Sequence, residues 1–271
     1  MNYVTAYCQA TGRVAPVAAE RLTPLFDKIA ADVALPPRGQ QAVDAGFTAH
    51  TLVDARENPA IYRYYQWVLT HVLAAHPVKE LTAQLIGTGF VSANLFETAL
   101  PQPVTLNAWQ IPHMLDFPLS TRRAVILENN GVFIWLHHRH PTWPLIAQIG
   151  NDFNVGANQM LTRLIKRGLV VTYLGDLDSV GLQIADRVAQ LVPSTPSLFA
   201  LQTPDRVSDW LVRFGRPSDR RTVRVDLTDP VLQREAVSVH AFGKFVEQES
   251  LIADYEALIA RWLAIPERPS A

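Results

Sequence analysis

The strongest constraint on the fold lies in residues 169–185, LVVTYLGDLDSVGLQIA. Val170, Val171, Thr172, Tyr173 and Leu174 have the β-branched, aromatic and aliphatic composition of a buried strand. Gly175 breaks the run, Asp176 and Asp178 follow with one residue between them, and Gly181 closes the turn. Leu182, Ile184, Ala185, Val188 and Leu191 then set a helical pattern. A strand, an acidic turn and a helix form half of an α/β unit. Ligands of such sheets bind beyond the carboxyl ends of the strands.

Two aspartates this close repel each other, and both stay ionised at neutral pH only where water or a cation offsets the repulsion. Mg²⁺ takes few carboxylates, keeps several waters and meets that need. The alternative is a helix N-terminus that favours two acids and holds no ligand.

The same arrangement occurs earlier in the chain. Ala124–Leu127, AVIL, is a short apolar run that ends in Glu128, Asn129, Asn130 and Gly131, and Val132 to Leu136 suit a helix. If the two strands are parallel neighbours, Glu128 stands at the same sheet edge as Asp176 and Asp178. Short right-handed connections favour that adjacency. Between them, Leu145 to Ile149 predicts a third strand. It leads through Gly150, Asn151 and Asp152 to a helix over Ala157–Arg167 that Gly168 ends. From Arg123 onward the order is strand, helix, repeated three times. That order predicts an α/β fold with a mostly parallel sheet flanked by helices.

Residues 1–102 read as a smaller, mainly helical region. Leu22, Leu25, Phe26, Ile29 and Val33 predict a helix over Ala18–Val33 that Pro36 and Pro37 end. Tyr62, Tyr65, Leu69 and Leu73 predict a second helix over Ile61–Leu73, and Leu81–Leu100 reads as helical in parts, interrupted by Gly87 and Gly89. Tyr62, Tyr64, Tyr65 and Trp67 fit core packing better than base stacking, since aromatics at helical spacing usually face a core. A DNA-binding or docking role for this region is open.

Toward the C-terminus, Leu198–Leu201 reads as a short strand. Arg206, Arg213, Arg216, Arg220, Arg221 and Arg224 are interleaved with Asp205, Asp209 and Asp219. They form either a phosphate-facing surface or a solvated face of mixed pairs. A last helix is expected from about His240 to Leu263. Within it Glu247, Gln248 and Glu249 interrupt an apolar face of Phe245, Leu251, Ile252 and Tyr255. On pattern alone these acids are surface residues or members of a site. His137, His138 and His140 read as a solvated cluster rather than a transition-metal site, because no Cys or acid stands at ligand spacing.

Composition narrows the class. Of 271 residues, 48% are hydrophobic, enough for a substantial core. A formal net charge of −1 gives no global attraction to nucleic acid, so any polyanion contact is local. Cys8 stands alone, which excludes an intramolecular disulfide and fits a reducing cytoplasm. No signal-peptide pattern and no apolar run of membrane-spanning length is present, so a cytoplasmic protein with no membrane partner is expected.

AVILENNG, LIAQIGNDFNVGANQMLTRLIKRG and LVVTYLGDLDSVGLQIADRV together resemble the Toprim catalytic fold, in its topoisomerase VI A-subunit branch. The closest resemblance is to the DUF2399 proteins, which are similar to the JetD nuclease subunits of Wadjet anti-plasmid systems, and FVEQESL resembles their glutamate-rich last helix. The resemblance spans roughly residues 103–263. It implies a Toprim-like catalytic domain over 103–271, DNA cleavage, and Mg²⁺ (Mn²⁺ as a substitute) held by Glu128, Asp176 and Asp178. The helix resemblance adds Glu247 and Glu249 as metal-site residues. Implied partners are DNA and an SMC-like ATPase complex, and a homodimeric state is open. No nucleophilic Tyr stands in a winged-helix motif, so topoisomerase strand passage is not expected.

Two rivals stand beside this reading. DLDSV at 176–180 meets the motif of haloacid-type phosphatases, with Asp176 as nucleophile. That motif normally follows the first strand of its fold, whereas two strand–helix units precede it here. The other rival is a non-catalytic DNA-binding subunit.

Overall fold

The fold is described from a computed structural model, which describes residues 2–81, 89–107, 109–148, 155–193 and 195–264. The chain divides into two compact units, Met1–Ala83 and Gln84–Ala271. Gly87, Gly150, Asn151 and Asp152, used above to place breaks and turns, lie outside the described residues.

The first unit is helical: α1 (Tyr3–Thr11), a 3₁₀ turn (Ala19–Leu22), α2 (Thr23–Ala30), α3 (Arg38–Asp44) and α4 (Pro59–Trp67), which runs on into a π-helical segment, Val68–Val72. The helix expected over Ala18–Val33 is shorter. Pro24 occupies its first turn, where a missing N–H is tolerated. Past its end Asp32 takes a left-handed φ of 56°. Phe26, Tyr64 and Tyr65 are fully buried and pack ring against ring, so these two tyrosines are core residues.

The second unit holds a five-stranded sheet in the order β2-β1-β4-β3-β5, from β1 (Phe90–Ala93), β2 (Val104–Leu106), β3 (Arg123–Leu127), β4 (Leu145–Ala147) and β5 (Val170–Leu174). Helices α5 (Ile111–Met114), α6 (Asn130–Arg139), α7 (Val155–Lys166) and α8 (Ser179–Leu191) connect and flank the strands. The three strands read from the sequence are parallel, β4 with β3 and β3 with β5. The sheet as a whole is mixed rather than mostly parallel, because β1 runs antiparallel to both β2 and β4. Phe90–Ala93, read from the sequence within a partly helical stretch, is a fully buried strand; its pairings across the sheet override a short local pattern.

The C-terminal part also differs from the sequence pattern. Leu198–Leu201 forms turns between Pro196 and α9 (Pro204–Phe214), although the Leu198 carbonyl still accepts from the Tyr173 N–H on the outer edge of β5. The expected last helix is two helices. α10 (Pro230–Phe242) ends at Gly243, whose φ of 60° is the left-handed conformation of a helix C-cap. A two-residue strand, β7 (Lys244–Phe245), then pairs with β6 (Arg216–Pro217), and a 3₁₀ turn, Gln248–Leu251, leads into α11 (Ile252–Leu263). Glu247, Gln248 and Glu249 therefore lie in a connector rather than on a helix face.

Candidate metal-binding acidic site

The site follows from one register. β3 and β5 are parallel, and Leu127 pairs with Leu174 as the last residues of the two strands. Their carboxyl ends are level, so Glu128 and Gly175–Asp176 leave the sheet side by side. The chain passes from β3 to β4 on one side of β3, then returns to β5 on the other. The β3/β5 pair is thus the topological switch point, where open α/β sheets form their binding crevice.

Two backbone links lock the ends together. The Glu128 N–H donates to the Leu174 carbonyl at 3.1 Å, and the Asp176 N–H donates to Glu128 Oε2 at 3.1 Å. Tyr173 Oη donates to the same oxygen at 3.1 Å. Gly175 leaves the room this requires, since a Cβ there would stand 2.5 Å from Glu128 Oε2. Beneath the turn, Gly175 N–H donates to Gln202 Oε1, and Gln202 Nε2 donates to fully buried Glu235.

Asp178 is the N-cap of α8. Its Oδ1 accepts from Val180 N–H at 2.9 Å and Gly181 N–H at 2.7 Å, as an aspartate before a helix does. Its other oxygen faces Arg221, whose Nε lies 2.7 Å from Oδ2. Arg221 Nη1 reaches Glu247 Oε1 at 2.9 Å, and Nη2 lies 3.8 Å from Asp176 Oδ2. The guanidinium also rests on the Phe245 ring, 3.8 Å from its centre.

The connector after β7 supplies the remaining acids. Leu177 and Val246 form an antiparallel bridge, so residues 246–248 run beside the acidic turn. Gln248 N–H donates to Asp176 Oδ1 at 2.9 Å. Glu249 Oε1 accepts from Asn129 Nδ2 at 2.9 Å, while Asn129 Oδ1 caps α6. Glu128, Asp176, Asp178, Glu247 and Glu249 thus gather at one sheet edge, with Arg221 against Asp178, Glu247 and Asp176.

This crowding shows in their acidities. Burial, then the neighbouring Asp176 charge, pushes Glu128 up to about 8. Burial, then Glu249 and Asp178, pushes Asp176 up to about 8. Burial and Glu247 push Glu249 up to about 7. Burial and mutual repulsion thus raise three carboxyl groups of one cluster well above the usual carboxylate range.

The donor set fits a hard divalent cation, which takes carboxylate oxygens and relieves repulsion among them. Among the described residues no three His, Cys, Asp or Glu side chains already close round one point. The Asp178 oxygens serve the α8 cap and Arg221. The histidines at the end of α6 take no part in such a group among the described residues. His138 stacks on Trp135, and His140 pairs with Glu256 at 2.7 Å and stacks on Trp143.

Sequence reasoning singled out the five acids but not Arg221, Gln248 or Asn129. Asn129 carried a readable signal as a cap residue directly before a helix. Arg221 carried none, being one arginine of a mixed-charge stretch. Among the described residues no helix is long and apolar enough to cross a membrane. No curated protein matches the chain. A family model does, described as protein of unknown function C-terminus, and its match over residues 104–258 runs from β2 into α11. The match takes in all five acids and Arg221 and spans more than half of the 271 residues, so this chain belongs to the DUF2399 family.

Proposed function

We propose that this chain is a metal-dependent DNA endonuclease, acting in the cytoplasm in anti-plasmid DNA defence. One observation carries the reading: Glu128, Asp176, Asp178, Glu247 and Glu249 gather at the β3/β5 switch point, with Arg221 as counter-charge. Five acids beside one guanidinium cannot all ionise without further positive charge, which is why burial and mutual repulsion raise Glu128, Asp176 and Glu249. The parallel trio β4-β3-β5 ending in Glu128 and the Asp176–Asp178 turn supports a Toprim-like core, with the likeness to topoisomerase VI A-subunits and JetD nuclease subunits that its motifs carry.

In this reading Glu128, Asp176 and Asp178 hold Mg²⁺ or Mn²⁺, with Glu247 and Glu249 completing the acidic wall. The bound cation supplies charge neutralisation at the phosphodiester and a more acidic water. The side chains do the rest. Tyr173 and the Asp176 N–H orient Glu128. Gln248 N–H orients Asp176. Glu128, at the end of β3 beside Asp176, is placed to act as general acid or base where it does not carry the metal. A formal net charge of −1 leaves DNA capture to a local surface or to a partner, for which an SMC-like ATPase complex is our candidate.

The test is cleavage of supercoiled plasmid by the purified chain with Mg²⁺ or Mn²⁺, with and without such a partner. The Asp176→Asn and Asp178→Asn variants run in parallel, and a phosphate monoester serves as second substrate. The expected result is nicking or linearisation that needs metal and is lost in both variants, with the monoester untouched. Phosphate release from the monoester points to the phosphatase alternative. Plasmid cutting that survives in both variants refutes the site.

A further inference from the structure

We infer that Arg221 is a resident counter-cation of this site, one that must release Asp178 before the acids can take up a divalent metal. The inference rests on reading the acidic edge as a metal site and concerns how that site is kept.

An ionised carboxylate offers about four lone-pair positions, two on each oxygen. Asp178 has used all of them. Val180 and Gly181 N–H occupy Oδ1, while Arg221 Nε and Nη2, each 2.7 Å away, occupy Oδ2. The helix-cap bonds belong to the start of α8 and cannot be given up without fraying it. The Arg221 bonds can. A metal that uses Asp178 therefore competes with Arg221 and with no other partner of that residue.

Arg221 is built to make such an exchange with its side chain alone. Its backbone is held, since Ser179 N–H donates to the Arg221 carbonyl at 2.9 Å and Ser179 Oγ lies between the Arg221 and Val223 carbonyls, at 3.0 and 2.7 Å. Its side chain keeps 27% of its surface open to solvent. One face of the guanidinium lies on Phe245, and the edge reaches from Asp178 to Glu247, so rotation toward solvent parts both ion pairs at once. Arginine stays charged at every working pH, so the counter-charge is lost by movement and not by titration. The consequence is that the acids are held together without metal, and that metal binds more weakly than the acids alone would allow.

The experiment is a calorimetric titration of the metal-stripped full chain with Mn²⁺, for the natural sequence, Arg221→Gln and Arg221→Lys, with Asp176→Asn as reference. Arg221→Gln is expected to bind Mn²⁺ roughly tenfold more tightly or better, and Arg221→Lys to lie between it and the natural chain. Binding by Arg221→Gln that is equal to or weaker than the natural chain's overturns the inference and leaves the metal-site reading intact. Absence of Mn²⁺ binding in every variant overturns both. A second readout needs no substitution. In ¹⁵N-arginine-labelled natural chain, the Arg221 Nε–H resonance is expected to shift and to exchange faster with water as Mg²⁺ is added. A resonance unmoved when Mg²⁺ is saturating overturns the inference on its own.

Discussion

Removing one charge from the acidic edge is expected to stabilise the metal-free protein, increasingly as pH rises above the usual aspartate range and in full above about 8. The informative change is Asp176→Asn. Asparagine keeps an oxygen to accept from Gln248 N–H and removes the charge that opposes Glu249 and Asp178. In the natural chain burial holds the Asp176 proton up to about 8, against the usual 3.8. Below the lower value the folded and unfolded chains both carry that proton. Between the two values the folded chain alone carries it, so its stability falls as pH rises, and above the upper value the loss is complete. The full separation, from 3.8 to about 8, amounts to roughly 6 kcal/mol at about 1.36 kcal/mol per unit. Solvent reaches 22% of the side chain, and screening discounts this to about 2 kcal/mol. Urea unfolding in EDTA at about pH 5 and about pH 9 reads the difference. About 3 of the roughly 4 pH units of that separation lie above pH 5, so the natural chain is expected to lose about 1–2 kcal/mol more than Asp176→Asn between these conditions. Excess Mg²⁺ is expected to restore the natural chain and leave the variant unchanged. Parallel pH profiles for the two proteins would refute the reasoning.

Two further outcomes follow from the packing under the turn. A Cβ at Gly181 runs into the Asp176 carbonyl, a backbone contact that cannot swing aside, so Gly181→Ala is expected to cost about 1–3 kcal/mol in urea unfolding. A change below about 0.5 kcal/mol would show that the turn yields. Glu235 is fully buried, with its proton held up to about 8 by burial. Its stabilising effect is therefore also lost as pH rises from 4.5 toward 8. Glu235→Gln is expected to flatten that slope equally with EDTA and with Mg²⁺, and a metal-dependent difference would place Glu235 in the site.

The part of the fold that was legible in the sequence was local. Val170–Leu174, Gly175 and the apolar spacing after Gly181 each speak through neighbouring residues, and β5, the turn and α8 follow them closely. The same holds for β3 and for Glu128 at its end. What stayed hidden depends on distant partners. Phe90–Ala93 is a strand because β2 and β4 flank it, and four residues carry too little pattern to say so. The break at Gly243 was masked because apolar residues continue at helical spacing past it, through Leu251 and Tyr255. That break is what turns Glu247 and Glu249 toward the sheet edge. Arg221 reaches the acids only because Ser179 pins its carbonyl and β6 pairs with β7, neither of which is visible in its own neighbourhood.

The most direct measurement is a crystal soaked in Mn²⁺ and recorded for anomalous scattering. An anomalous peak is expected within about 2.3 Å of a Glu128 or Asp176 carboxylate oxygen, with Arg221 turned away from Asp178. Strong peaks elsewhere, with the acidic edge empty and Arg221 still on Asp178 at saturating Mn²⁺, would contradict a metal site at the β3/β5 switch point.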